Sequence, residues 1–238
     1  MTLRDVFRWA KRLAVSEYTD WQQCLSDHGY FLLGARCRNT VDECLVIRTL
    51  EKYLKRSINP DALFDSRSPY FPKTVSENEQ HSNIVLTAVM RRMIVLCYQA
   101  WLCNEPVLLV GETGCGKTTV AELLAKIWKK KLFCLNCHQH TETSDLLGSL
   151  RPVGNGTFKW VDGVVIEAMK KGHPLLIDEI SLAADSVLER LNPLLETSRT
   201  LLLTDAGTSA DVIYCSDGFE VIATMNPGGD YGKKEVAF

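Results

Sequence analysis

The chain has 238 residues, 46% hydrophobic and 24% charged, and a net charge of −2. That is the balance of a soluble globular protein with one or two cored domains. It gives no bulk drive toward nucleic acid or an anionic membrane, and no apolar run is long enough to span a bilayer. Nine cysteines, an odd count without repeated spacing, follow an N-terminus with no apolar signal segment. They predict reduced thiols in an intracellular protein.

Residues 1–57 are predicted to be a small helical unit. Leu3, Val6, Phe7, Ala10 and Leu13 recur at helical spacing. Two more helices are expected around Trp21–Leu25 and Val41–Leu50, split at Asp27-His28-Gly29. Tyr30 to Ala35 fits either a helix or a buried turn. No catalytic motif lies here. Residues 58–73 are expected to be a linker, rich in turn chemistry, whose Leu63, Phe64, Tyr70 and Phe71 require it to pack on something. A core domain is expected over 74–238. It opens with a helix from Ile84 to Leu102, on which Arg91 and Arg92 form a basic face or touch nucleotide or a neighbour.

The next stretch organises the rest. Gly111-Glu112-Thr113-Gly114-Cys115-Gly116-Lys117-Thr118 matches G-x-x-x-x-G-K-[ST] at every fixed position. An apolar strand, Pro106–Val110, precedes it, and a helical pattern from Val120 to Trp128 follows. Glycines let the backbone turn tightly and approach a phosphate, and the N–H groups form an anion nest at a helix N-terminus. Lys117 is placed to reach the β- and γ-phosphates, and the Thr118 hydroxyl to hold Mg²⁺.

A second strand is expected over Lys131–Cys137. Cys134-x-x-Cys137-His138 has the look of a haem or metal motif. Strand alternation puts the two thiols on opposite sides, however, and no second ligand pair is spaced for a closed zinc site. Thr141 to Gly148 reads as a capped helical turn, Gly154 to Trp160 as a hairpin or loop, and Gly163 to Lys171 as a helix.

Pro174-Leu175-Leu176-Ile177-Asp178-Glu179 is an apolar strand ending in two acids, expected beside the loop strand in a parallel sheet. Asp178 suits Mg²⁺, and Glu179 suits orienting or deprotonating an attacking water. A helix is expected over Ala184–Ser198, kinked at Pro193. A hairpin is expected over 200–215 and a last buried strand over 219–226, with Asn226 at its carboxyl end able to touch the γ-phosphate or the water. No Asn-Lys-x-Asp base reader of a GTPase is present.

Gly111–Thr118 as Walker A, Leu175–Glu179 as Walker B and Asn226 as sensor 1 resemble the core of an AAA+ ATPase. Asn136–Asp145, Gly148–Val153, Leu175–Ala183 and Ala223–Lys234 look more specifically like the midasin family. These are dynein-related AAA+ proteins of ribosome biogenesis, whose tandem AAA units form a ring within one chain. Leu3–Trp9 is similar to the sensor 2 start of that family's helical lid.

The resemblance implies an α/β fold. It would be a P-loop NTPase (AAA+) parallel sheet with flanking helices, preceded by the helical lid-like unit of another module. It implies ATP and Mg²⁺ as cofactors, with Gly111 to Thr119 holding nucleotide, Thr118 and Asp178 the metal, and Lys117, Glu179 and Asn226 catalytic. Arg4 would serve the preceding unit's nucleotide. It implies other AAA units and pre-ribosomal particles with their assembly factors as partners, and a nuclear location. It implies neither a membrane partner nor sequence-specific nucleic-acid binding. Cores of the family continue into a fifth strand, an arginine finger and a lid, so the chain is expected to be a fragment, with an exposed sheet edge that favours aggregation. The rival expectation is a unit that binds nucleotide but serves the ring as a scaffold without turnover.

Overall fold

The computed structural model describes residues 2–78, 85–154, 156–196, 198–203 and 211–227. Its contacts gather into two compact units, Met1–Cys103 and Asn104–Phe238.

The first unit is helical, with α1 over Leu3–Val15, α2 over Trp21–Leu32, α3 over Thr40–Leu54, α4 over Pro60–Leu63, α5 over Lys73–Asn78 and α6 over Ala88–Leu102. Its helix starts are chemically marked. The Asp5 carboxylate accepts the Thr2 N–H at 2.7 Å ahead of α1, Asp20 accepts from Gln22 and Gln23 ahead of α2, and Asn39 accepts from Val41 ahead of α3. The α6 helix begins at Ala88, where the Thr87 hydroxyl caps Met90. The helix expected from Ile84 therefore starts later: Val85–Thr87 are not helical, and Ile84 itself lies outside the described residues.

The expected split at Asp27-His28-Gly29 is not present: α2 runs through it. Gln23 donates to Asp27 from one turn back, at 2.8 Å, so the aspartate is satisfied inside the helix. Gly29 is there for packing. A Cβ on it would stand 2.6 Å from the Trp9 ring and 3.1 Å from Leu50, so α1 and α3 approach α2 more closely than an alanine would permit.

Residues of the predicted linker pack within this first unit, with Ile58, Leu63, Phe64 and Phe71 buried. Arg91 donates to the Leu86 carbonyl. Arg92 donates to the Ala35 carbonyl and lies 5.0 Å from the Phe64 ring centre. Both arginines are half-buried, and their contacts are structural.

The first unit's interior holds an uncommon polar group. His28 is 1% exposed, lies edge-on to Phe31 and Tyr70, and shares a 2.9 Å hydrogen bond with the Ser16 hydroxyl. Burial first, then the Arg12 charge, pushes its imidazole down to about 4 from an ordinary 6.5. The fold therefore favours the neutral ring. Its contribution is fully present above about pH 6.5 and is lost as pH falls toward 4, by about 3 kcal/mol in all. Urea unfolding at a series of pH values should show this loss in the native chain and a shallower one in His28→Gln. Equal slopes would contradict the assignment.

The second unit is α/β. Its elements are β1 (Val107–Val110), α7 (Lys117–Ile127), β2 (Phe133–Asn136), α8 (Thr143–Leu147), β3 (Gly148–Gly154), β4 (Thr157–Asp162), α9 (Val164–Lys171), β5 (Leu175–Asp178), α10 (Asp185–Glu189), α11 (Asn192–Leu195), β6 (Thr200–Leu203), β7 (Asp211–Tyr214) and β8 (Val221–Met225). Four strands form one parallel sheet in the order β1-β8-β5-β2. All of its strands are short and apolar, as parallel strands covered by helices must be. The core joins Leu175, Ile177, Val221 and Phe219 to Val165, Ile166 and Met169 of α9 and to Leu191, Leu194, Leu201 and Leu203.

Two expectations need correction. The acid-bearing strand β5 does not lie beside the loop strand β1, because β8 is inserted between them. Apolar runs alone do not set strand order, and β8 is as apolar as its neighbours. The helix expected over Ala184–Ser198 is broken into α10 and α11. Pro193 falls in the first turn of α11, where its missing N–H costs nothing; inside a continuous helix it would remove a hydrogen bond and clash. The antiparallel pairs β3–β4 and β6–β7 are the two hairpins. The turn proposed for the second, at Asp205-Ala206-Gly207, lies outside the described residues.

Candidate functional site

The carboxyl ends of the parallel strands carry the chemistry, where open α/β sheets place their ligands. From β1 the chain enters the glycine loop. The Gly111 N–H donates to the Met225 carbonyl at 3.2 Å, which ties the loop's start to the end of β8. Gly114 has φ +83° and Gly116 φ +92°. Nothing stands within 4 Å of a Cβ on Gly114, so the requirement there is conformational rather than steric. Gly116 is the N-cap of α7 and brings no side chain to satisfy the first-turn amides. A left-handed cap leading into unsatisfied amides at a helix start is an anion nest.

Lys117 is folded into this nest and only 8% exposed. Its ammonium donates to the carbonyls of Gly111 (2.5 Å) and Glu112 (2.9 Å) and to the Asn226 side-chain oxygen (3.1 Å), with the Cys115 sulfur at 3.9 Å. Two residues 109 positions apart in sequence, both predicted as site residues, thus meet directly. Asn226 arrives there because it directly follows β8, whose last residue, Met225, pairs with Val110 at the end of β1.

Asp178 ends β5 and Glu179 follows it with φ +53°, a left-handed conformation that a glutamate rarely adopts. Such strain persists only where neighbours impose it, and it clusters at functional sites. Two hydrogen bonds impose it here. The Glu179 N–H donates to the Thr224 hydroxyl oxygen at 3.1 Å, and the Leu182 N–H returns to the Glu179 carbonyl at 2.9 Å. The Thr224 hydroxyl in turn donates to the Asp178 carboxylate. Sequence reasoning missed Thr224. A signal was there: a threonine inside the apolar run Val221–Met225 needs a hydrogen-bond partner once buried.

Thr118 and Glu112 to Gly114 are exposed, and Thr119 is half-buried. Thr118 stands in the first turn of α7, which packs on β5 and β8. Cys134 is exposed and Cys137 buried, as strand alternation requires. Burial, then the charges of Asp178 and Glu179, pushes the Cys137 thiol up to about 11. Arg4 is exposed in the first turn of α1, in the other unit.

Among the described residues, no three His, Cys, Asp or Glu side chains group together to hold a metal ion by themselves. Magnesium does not ask for such a cage. It takes a carboxylate or a hydroxyl, keeps waters and completes its shell with substrate phosphates. Asp178 and Thr118, beside a phosphate nest, are donors of that kind.

Fold and site together define a P-loop nucleotide-binding domain with an acidic pair and a polar residue at adjacent strand ends. Residues 106–237 match the family described as AAA domain (dynein-related subfamily), and the chain belongs to that family. A protein called Midasin from Dictyostelium discoideum is 34% identical over 328 aligned residues, which cover 100% of this chain and 6% of that protein. A Midasin from Giardia intestinalis is 33% identical over 301, covering 100% of this chain and 6% of its own length. An uncharacterised Staphylococcus epidermidis protein is 40% identical over 129, covering 52% of this chain and 48% of its own. The resemblance to midasin-type AAA proteins thus holds along the whole chain, which spans about 6% of the length of those two relatives.

Proposed function

We propose that the second unit binds Mg-ATP and hydrolyses it. The observation that carries this reading is the convergence of Lys117, Asn226, Asp178 and Glu179 on three adjacent strand ends. In phosphoryl transfer the protein's work is positioning and charge stabilisation. Loop amides and the Lys117 ammonium hold the phosphates. Thr118 and Asp178 hold Mg²⁺, which neutralises charge developing on the phosphate oxygens. Glu179 takes a proton from the attacking water, and Asn226, already bonded to Lys117, reads the γ-phosphate.

The relatives called Midasin support a wider reading. This site would be one of several AAA units in a ring that remodels large-subunit pre-ribosomal particles with their assembly factors, in the nucleus. Arg4, in the lid-like helical residues 1–57, would serve the nucleotide of a preceding unit, and residues 74–238 would form the core of the next. The intact acidic pair favours turnover over a purely scaffolding role, since a scaffold needs Lys117 and the nest but has no use for Glu179. Phosphate release from ATP by the chain, abolished by chelating Mg²⁺, tests the reading. Tight Mg-ATP binding with no release would establish the scaffold.

A further inference from the structure

We infer that Thr224 is a positioning residue for this chemistry, holding the Asp178–Glu179 pair in its working geometry from the strand that also carries Asn226. The inference rests on the Mg-ATP reading of the site and adds a residue to it.

A threonine hydroxyl has one proton to give and lone pairs to accept with. Both capacities are used here, on consecutive residues. The hydroxyl donates to Asp178 Oδ1 and accepts the Glu179 N–H at 3.1 Å. Thr224 is 0% exposed, so water does not compete for either bond. The donation fixes one carboxylate oxygen of Asp178 and leaves the other for a cation. The acceptance stabilises the peptide that precedes the left-handed Glu179 and so sets where the Glu179 side chain leaves the backbone.

The strand supplies a second link. Side chains two apart along a strand share a face. Two residues beyond Thr224, Asn226 accepts from Lys117 at 3.1 Å. The three residues from Thr224 to Asn226, at the end of β8 and just past it, therefore hold the acidic pair through a hydroxyl and the phosphate-binding lysine through an amide. A shift of β8 along its axis would move both together. Partners of metal ligands commonly matter this much, and their loss costs roughly ten- to a hundredfold in metal affinity or activity.

The test compares Thr224→Val, which keeps the shape and removes the hydroxyl, with Thr224→Ser, which restores it. The chain is titrated with ADP by calorimetry in chelator and at rising Mg²⁺. Thr224→Val should leave affinity in chelator within twofold, raise the Mg²⁺ midpoint roughly tenfold and slow turnover roughly ten- to a hundredfold. Thr224→Ser should recover most of both. Unchanged midpoint and turnover in Thr224→Val, or a serine variant no better than the valine one, would overturn the proposal. Amide hydrogen exchange at Glu179 in the nucleotide-free chain gives a readout that needs no ligand. It should accelerate in Thr224→Val and recover in Thr224→Ser, and equal protection in all three proteins would also overturn the proposal. If the native chain bound no nucleotide, the proposed function would fail, and the exchange experiment would still decide the role of Thr224. Should the valine variant not fold, Thr224→Ala takes its place in the same comparison.

Discussion

Glu179→Gln is expected to slow ATP turnover by about a hundred- to ten-thousandfold while Mg-ATP stays bound. The amide keeps the size of the side chain and its place after the strained turn, but it has no basic oxygen for the proton of the attacking water. Lys117, Asn226 and Asp178 do not depend on the Glu179 side chain for their contacts, so the ground-state complex should survive. Single-turnover kinetics, with nucleotide affinity measured in parallel, separate the two quantities. A variant that turned over within twofold of the native chain would show that Glu179 is not the base. A variant that lost binding as well would show that the side chain has a structural task the hydrogen bonds do not reveal.

The second large effect is expected at Lys117. Lys117→Ala removes a buried ammonium that donates to two loop carbonyls and to Asn226. The nest loses its only full positive charge among the contacts described, and hydrogen bonds to charged groups are worth about 1.5–3 kcal/mol each. Losing even two phosphate contacts of that size predicts at least about a hundredfold weaker binding of ATP. Asn226 also loses its partner, so the link between the loop and β8 should loosen. Retained affinity with a folded loop would mean that the backbone nest alone holds the phosphates, and that Lys117 acts only on the transition state.

Much of the site was legible in the sequence because its chemistry is local. The glycine loop needs particular residue types at fixed spacing, and a left-handed Gly116 followed by a helix start can be read from Gly-x-Gly-Lys alone. The pair Asp178-Glu179 after an apolar run announces a strand end in the same way. Less legible was what depends on tertiary neighbours. Nothing local distinguishes β8 from β1 as the partner of β5, since the three strands are equally apolar, and so the insertion of β8 was not foreseen. Thr224 was hidden for the same reason, because its importance comes from lying next to Asp178, 46 positions earlier in sequence. In the helical unit, Asp27-His28-Gly29 looked like a break because aspartate and glycine weaken helices in water. Here Gln23, Tyr70 and the ring of Trp9 supply what solvent would not.

The most direct test of the central claim is a calorimetric titration of Mg-ATP into the chain as it stands, with folding checked on the same sample by circular dichroism and thermal melting. Saturable binding at one site per chain, weakened severalfold when Mg²⁺ is chelated, is the predicted result. A cooperatively folded sample that takes up no nucleotide would contradict the assignment of Gly111–Thr118 and Asp178 as a working Mg-ATP site.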